Sequence, residues 1–469
     1  MEEKDYLEAA YYDIPFDLTK EEDCLRLEEQ NQNLMIEEQP KFSFIMSIYN
    51  DIQLLNAAVN SLLKQSFRNW ELVIWDDSDH NDDVWEIVQR LVKVDHRIRA
   101  YHGEKRVGWP KAVSLCLSYI RGEYTTFLAA DDCIKAEVLQ RLNEILCREE
   151  PDILWVGNDH VVYTPQTGPE SRGMFVPEYR VYTKEQRSTA MVHIMRHVYY
   201  NSMFHYMKTS FLRENQIDFF EPYYMDCAGM TQAMAVANKM IAWNEVVYYL
   251  TLNTSQTAGR YTWDSYDFMF SNQWRSVKQV FIRESFMQKE DIGYVAARIA
   301  RNLIGNVGLL CRGQCRDKYM APLQKETKEV IAQIEAILSN KDIIEMLEIT
   351  ANHGFIWLLE ALAGLQEYAG IEEILERQSW LNALIVLAIQ GETLETEQKI
   401  ELISDWILEE NNHSCIGFEY FALLVGSAAD SVVIQQRKAI EAVIGKYNHY
   451  LEEQEKETDD WRRFLVSIR

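Results

Sequence analysis

Residues 42–51 read Phe-Ser-Phe-Ile-Met-Ser-Ile-Tyr-Asn-Asp, and residues 69–78 read Asn-Trp-Glu-Leu-Val-Ile-Trp-Asp-Asp-Ser. Each is a short apolar, β-favouring run that stops at polar, turn-forming residues, the pattern of a buried strand with a polar carboxyl end. Between them Leu54, Leu55, Ala58, Val59, Leu62 and Leu63 recur at helical spacing. The alternation continues with a helix near 83–94, a strand over 97–102, a helix near 109–121 and a strand over 124–128. Such an order predicts an α/β domain with a mostly parallel sheet flanked by helices, which binds ligands at the carboxyl ends of its strands. Three strands end in Tyr49-Asn50, Asp76-Asp77 and Asp131-Asp132, so all three ends are expected to face one crevice. Apolar runs at 153–156 and 246–250 complete the sheet, around a mixed 165–245 region rich in Tyr and Met.

At 469 residues the chain is expected to hold two domains, and a composition 47% hydrophobic with 19 Gly and 9 Pro leaves little for long linkers. Residues 1–40 are acidic, with Thr19 and Glu22 at capping-box spacing before a helical stretch through Leu34. From 275 to 469 the texture is helical throughout, rich in Leu, Ala, Ile and Glu, without a fixed repeat period. The formal charge of −26 repels phosphate backbones and anionic membranes, which argues against a nucleic-acid partner. A small phosphorylated ligand still binds if a cation or a local pocket supplies positive field. Eight scattered cysteines form no CxxC pair, no run of 18 apolar residues occurs, and the start lacks the pattern of a signal peptide. Together these features imply a cytoplasmic protein without a transmembrane segment.

Asp131 and Asp132 carry the chemistry, because carboxylates beside a diphosphate repel it unless a divalent cation lies between. Mg²⁺ takes one or two carboxylates plus phosphates and waters. The competing reading is that the pair caps a helix starting near Ala136. His193 and His197 share helical spacing, as do Cys311 and Cys315, but neither pair has the further ligands of a metal site, and core packing explains them.

Four segments together resemble the family 2 glycosyltransferases: FSFIMSIYND, NSLLKQSFRNWELVIWDDSD, GEYTTFLAADD and MDCAGMTQAMAVANKM, within residues 41–260. The resemblance implies the A-type glycosyltransferase fold, a Rossmann-like mixed sheet, over 41–270, between the 1–40 extension and an all-α domain over 275–469. It puts Tyr49 under the nucleotide base and Asp77, with Asp76, at the base imide or ribose. Asp131 falls near ribose and metal, and Asp132 on the Mn²⁺ or Mg²⁺ that bridges the diphosphate. Lys111 and Arg106 become phosphate candidates, and Asp226 the catalytic base. The chain departs from the family at Ala129, where many members carry Asp, at Val113 and Ser114 in place of Arg and Asn, and at Met225 in place of Glu.

The activity so implied is inverting transfer from a nucleotide-sugar donor, a UDP-linked hexose or N-acetylhexosamine, to a hydroxyl of a glycan, glycolipid or protein acceptor, as in polysaccharide biosynthesis. Asn201, His205 and Tyr206 are expected on the acceptor side, and Arg260, Tyr261 and Trp263 in a lid or a linker. The helical C-terminal region offers a surface for homo-oligomers. The alternative is a catalytically weak nucleotide-sugar-binding scaffold.

Overall fold

The computed structural model describes residues 14–32, 34, 38–49, 52–78, 82–162, 176, 178–197, 204–217, 226–252, 263–284, 292–300, 303 and 340–350. The chain divides into two compact units, Met1–Asn253 with Ile282–Phe286, and Thr254–Phe281 with Met287–Arg469.

The first unit is built on nine strands among the described residues, in the order β3-β2-β1-β4-β8-β6-β9-β5, with β7 also paired to β9. The strands are β1 (Phe42–Ile48), β2 (Trp70–Asp76), β3 (Ile98–His102), β4 (Tyr124–Phe127), β5 (Cys133–Ile134), β6 (Ile153–Val162), β7 (Arg180–Thr183), β8 (His205–Lys208) and β9 (Lys239–Leu252). Strands β3, β2, β1 and β4 run parallel, β8 runs antiparallel between β4 and β6, and β9 is parallel to β6. The sheet is therefore mixed, with β1, β2, β4, β6 and β9 all pointing their carboxyl ends to the same edge. Its helices are α1 (Glu21–Asn31), α2 (Ile52–Leu63), α3 (Asp82–Val94), α4 (Trp109–Leu117), α5 (Val138–Glu149), α6 (Arg187–His197), α7 (Thr209–Glu214) and α8 (Asp226–Val236). This is the layout of the A-type glycosyltransferase fold.

Alternation does not govern the central strands, since every residue of β2 and β4 is buried. Phe42, Phe44, Trp70, Tyr124 and Phe127 are fully buried in the sheet's packing, as strands covered on both faces require. Arg97 lies 3.8 Å over the Trp70 ring and bonds buried Asp95 through Nε (3.0 Å) and Nη2 (2.6 Å), so these two buried charges are paired with each other.

At the amino ends of β1 and β2, away from the polar strand ends, buried Glu71 gathers the Ser43 hydroxyl (2.6 Å), the Arg121 N–H (2.6 Å) and the Arg99 guanidinium (2.7 Å). Gly122 closes that cluster: a Cβ there would stand 2.6 Å from Ser43 Oγ and 2.7 Å from its backbone N. The cluster locks the segment entering β4 to β1 and β2, and so fixes where β4 delivers its last residues.

The segment before β1 is strapped to the sheet's helices. Asn60 of α2 accepts the Phe16 N–H (3.2 Å) and donates to the Phe16 carbonyl (2.8 Å), while Asn56 accepts the Leu18 N–H (3.2 Å). Phe16, Leu18, Cys24 and Leu27 are buried beneath it. The expected capping box is not formed. Helix α1 starts at Glu21 after Lys20 with no side-chain cap, because the Thr19 hydroxyl turns back to Asp17 Oδ1 at 2.6 Å.

After residue 262 the described residues are helical over Trp263–Glu284, 292–300 and Lys341–Ile349. Trp274 is fully buried, and Lys278 pairs with Glu345 at 2.6 Å. The remaining helices expected between 304 and 452, Cys311, Cys315, Arg260 and Tyr261 lie outside the described residues, whereas Trp263 opens a 22-residue helix. No helix of the described residues is long and apolar enough to cross a membrane. Cys24, Cys116, Cys133 and Cys147 are unbridged thiols.

Candidate functional site

Strand β1 ends at Ile48, and Asp77 follows the end of β2 with its N–H on the Ile48 carbonyl at 2.9 Å. Both Asp77 oxygens are engaged: Oδ1 accepts the Val107 N–H at 2.7 Å and Oδ2 the Gly108 N–H at 2.8 Å. The carboxylate thus holds the 106–108 loop against the strand ends. Gly108 sits at φ 82°, a backbone state that a Cβ would strain, and leads into α4 with Pro110 in the first turn.

That anchored loop sets Arg106 with its guanidinium carbon 3.9 Å from the centre of the Tyr49 ring, and its Nε 3.9 Å from Asp77 Oδ2. Tyr49, Arg106 and Asp77 therefore form one aromatic and charged cluster at the ends of β1 and β2. Arg106, read from sequence as a phosphate candidate, stands instead on the aromatic ring. Asp76, the last residue of β2, accepts the Ser78 N–H at 3.0 Å in a tight local turn. Lys111 is exposed on the first turn of α4.

One strand over, Phe127 of β4 stands opposite Ile45 of β1, so the loop after β4 emerges beside Tyr49. In it Asp132 is 2% exposed and Asp131 half-buried. The Tyr248 phenol, arriving from β9, accepts the Ala129 N–H at 3.0 Å and donates to Asp132 Oδ2 at 2.8 Å. Burial, and then the charge of Asp132, push the Tyr248 pKa well above its ordinary value, so the phenol stays a donor. Asp131 and Asp132 do not cap the next helix. Helix α5 starts at Val138 behind Glu137, which has φ 55° and no side-chain cap.

A hard divalent cation fits this pair. It needs one or two carboxylates, with phosphate oxygens and waters completing its shell, and the pair supplies that number. Among the described residues no group of three His, Cys, Asp or Glu could hold a metal by itself, so a cation here would depend on ligand oxygens. His193 faces the Tyr182 hydroxyl through Nδ1.

Asp226 is the first residue of α8. His205 and Tyr206 are not at a ligand surface. Both are buried in β8, His205 between Phe127 and Trp155, and Tyr206 edge-on to Phe42 and Phe44. The physical reason is the antiparallel insertion of β8 between β4 and β6, which puts these rings into the sheet's core. Burial lowers the His205 pKa to about 3, which keeps the ring neutral. Asn201 lies outside the described residues.

The model of the family described as Glycosyl transferase family 2 matches residues 43–211, a span that takes in Tyr49, Asp76, Asp77, Lys111, Asp131 and Asp132. Residues 43–211 form a family 2 glycosyltransferase domain. Asp226 and Tyr248 lie beyond the matched span. Glycosyltransferase GlyG of Streptococcus pneumoniae serotype 4 is 30% identical over 116 residues, 25% of this chain and 38% of that protein. The uncharacterized glycosyltransferase EpsJ of Bacillus subtilis is 27% identical over 171 residues, 35% of this chain and 49% of that protein. A third relative, the Escherichia coli UDP-Glc:alpha-D-GlcNAc-diphosphoundecaprenol beta-1,3-glucosyltransferase WfgD, is 28% identical over 120 residues, covering 26% and 46% of the two chains. The chain thus spans less than half the length of each of these relatives. A crystal structure of Staphylococcus aureus TarS with UDP-GlcNAc aligns over 82% of this chain and 90% of that one, at 18% identity and a TM-score of 0.41. At that score the likeness adds nothing to the topology described above.

Tyr248 escapes a reading of the sequence, since nothing near it marks its role. Its phenol meets Asp132 from 116 positions away, and only the pairing of β5 with β9 brings the two together.

Proposed function

We propose that this protein is an inverting glycosyltransferase that moves a hexose or N-acetylhexosamine from a UDP-linked donor to a hydroxyl of a glycan, glycolipid or protein acceptor. One observation carries the reading: an aromatic-and-carboxylate cluster (Tyr49, Asp77) and a carboxylate pair (Asp131, Asp132) emerge from adjacent parallel strands at one sheet edge. The first suits a base and ribose, and the second a cation-bridged diphosphate. Membership of the matched domain in family 2, and the UDP-Glc named for the WfgD relative, support the donor class.

In this reading Tyr49 stacks the uracil while Asp77 keeps the 106–108 loop in place and offers its remaining lone pairs to the base or ribose. Lys111, on the first turn of α4, reaches a phosphate oxygen. Asp131 and Asp132 would hold Mn²⁺ or Mg²⁺, which when bound neutralises the charge that develops on the departing nucleoside diphosphate. Asp226 takes the proton from the acceptor hydroxyl as its oxygen attacks the anomeric carbon, so the configuration inverts and no glycosyl-enzyme forms. The reading has a catalytic domain over about 41–270, after the 1–40 extension, and a separate domain over 275–469.

The test is titration of UDP with and without Mn²⁺, followed by UDP release from a panel of UDP-sugars. We expect UDP binding that needs Mn²⁺ and slow donor hydrolysis even without acceptor. Asp132→Ala and Asp226→Asn should each lower turnover by about 100-fold or more; wild-type rates in both would refute the assigned roles. Ala129, where many family members carry a carboxylate, favours a second reading as a nucleotide-sugar-binding scaffold. Tight UDP binding with no turnover across the donor and acceptor panels would select it.

A further inference from the structure

Asn158 lies in β6 and is completely buried, yet among the described residues neither its amide nitrogen nor its amide oxygen has a hydrogen-bond partner. An amide left bare in the interior costs about 1–3 kcal/mol at each unsatisfied group, so native structures rarely keep one without a use for it. Its place in the fold supplies the use. The pairing of β6 with β9 is irregular on both sides of Gly157, and the irregularity brings Asn158 directly opposite Tyr248. Interruptions of this kind re-aim a side chain, and they concentrate beside active sites.

Tyr248 is the residue whose phenol pins Asp132. The backbone of Asn158 therefore stands one strand spacing, about 4.8 Å, from that of the residue that anchors the carboxylate pair. Strand β6 is parallel to β9 and, across the antiparallel β8, to β4, so it runs toward the edge where Asp131 and Asp132 emerge. Phe204 meets the Tyr248 ring edge-on at 5.2 Å and gives the position an aromatic wall. In the UDP-sugar reading, a diphosphate held at Asp131 and Asp132 would carry its sugar toward this part of the sheet.

We propose that Asn158 reads the donor sugar, its amide donating to one sugar oxygen and accepting from one sugar hydroxyl or acetamido N–H. This rests on the UDP-sugar reading above and adds the residue that selects the sugar. An amide matches such a group because it offers a donor and an acceptor side by side, as neighbouring hydroxyls or an acetamido group do. Being remote from the base cluster, it has no part in holding UDP itself.

The experiment compares wild type with Asn158→Leu and Asn158→Ser. For each, binding of UDP, UDP-glucose, UDP-galactose, UDP-N-acetylglucosamine and UDP-N-acetylgalactosamine is titrated calorimetrically with Mn²⁺, and thermal unfolding is recorded. UDP affinity should stay within about twofold in both variants. The wild type's preference for its best UDP-sugar over the other three should fall tenfold or more in Asn158→Leu. Asn158→Ser, which keeps one polar group, should lose less. Asn158→Leu should unfold at the same or a higher temperature, since it removes a bare buried amide. If Asn158→Leu keeps the wild-type sugar preference, the assignment is wrong. Equal losses for UDP and every UDP-sugar, together with a lower unfolding temperature, would make the residue structural and equally overturn it. If wild type binds no UDP at all, the parent reading fails as well, which separates the two failures.

Discussion

The Tyr248 hydroxyl serves two neighbours, accepting the Ala129 N–H and donating to Asp132, so it fixes both the course of the loop after β4 and the direction of the carboxylate. Removing it as Tyr248→Phe should raise the Kd for UDP about tenfold when Mn²⁺ is present. The residual UDP binding measured in EDTA should not change. Mn²⁺ electron paramagnetic resonance with UDP bound offers a direct reading of the ion's affinity. An unaltered Mn²⁺ requirement would mean that the phenol only packs. The carboxylates were legible in the sequence because each stands where an apolar run stops. Their supports were not. Asp77 reads from sequence as a ligand-facing acid, yet in the fold its two oxygens are already accepting N–H groups from 30 and 31 residues away. Local pattern cannot report such long-range bonds, and it gave no sign that Arg106 would settle on Tyr49.

At the scale of elements, the helices through α4 follow the hydrophobic period, and β1 to β4 are legible as short apolar, β-favouring runs between turn residues. Helix α3 begins one residue before its expected start, and β1 and β2 fall within one residue of theirs. The short strands β5, β7 and β8, of two to four residues, carry no period and were missed. With β8 unseen, His205 and Tyr206 looked available to an acceptor. What keeps the parallel strands in register is the Glu71 cluster, and it makes a pH prediction. Burial by itself would raise the Glu71 pKa, but the Ser43 hydroxyl, the Arg121 N–H and the Arg99 charge outweigh it, and the value lies below the usual 4.5. A depressed carboxylate pKa adds stability above its unfolded pKa and loses it as pH falls through the folded value. The wild-type unfolding temperature should therefore drop more steeply below about pH 4 than that of Glu71→Gln. At neutral pH Glu71→Gln should cost about 3 kcal/mol, because Arg99 and Arg121 lose their shared partner. Chemical denaturation at pH 7 and pH 3.5 checks both, and parallel losses at the two pH values would show that the carboxylate's charge is irrelevant.

Over the whole molecule the decisive quantity is the formal charge of −26, and it bears on how the protein meets its acceptor. A bilayer with anionic lipids holds a negative surface potential, which attracts basic segments and repels a surface rich in Asp and Glu within about a Debye length, roughly 8 Å at physiological salt. A glycolipid acceptor of the kind proposed above would then have to be captured by its sugar at the site edge. Broad contact with the bilayer would have no part in it. The expected outcome is that vesicles with about 30% anionic lipid sediment no more of this protein than neutral vesicles do, at low and at physiological salt. Salt-sensitive capture by the anionic vesicles would demonstrate a basic face strong enough to outweigh the overall charge. The same vesicles supply a control for the chemistry: with Mn²⁺ present, a glycolipid acceptor should serve equally well in detergent and in a bilayer, because in the proposed reading the site recognises its sugar and not the lipid surface.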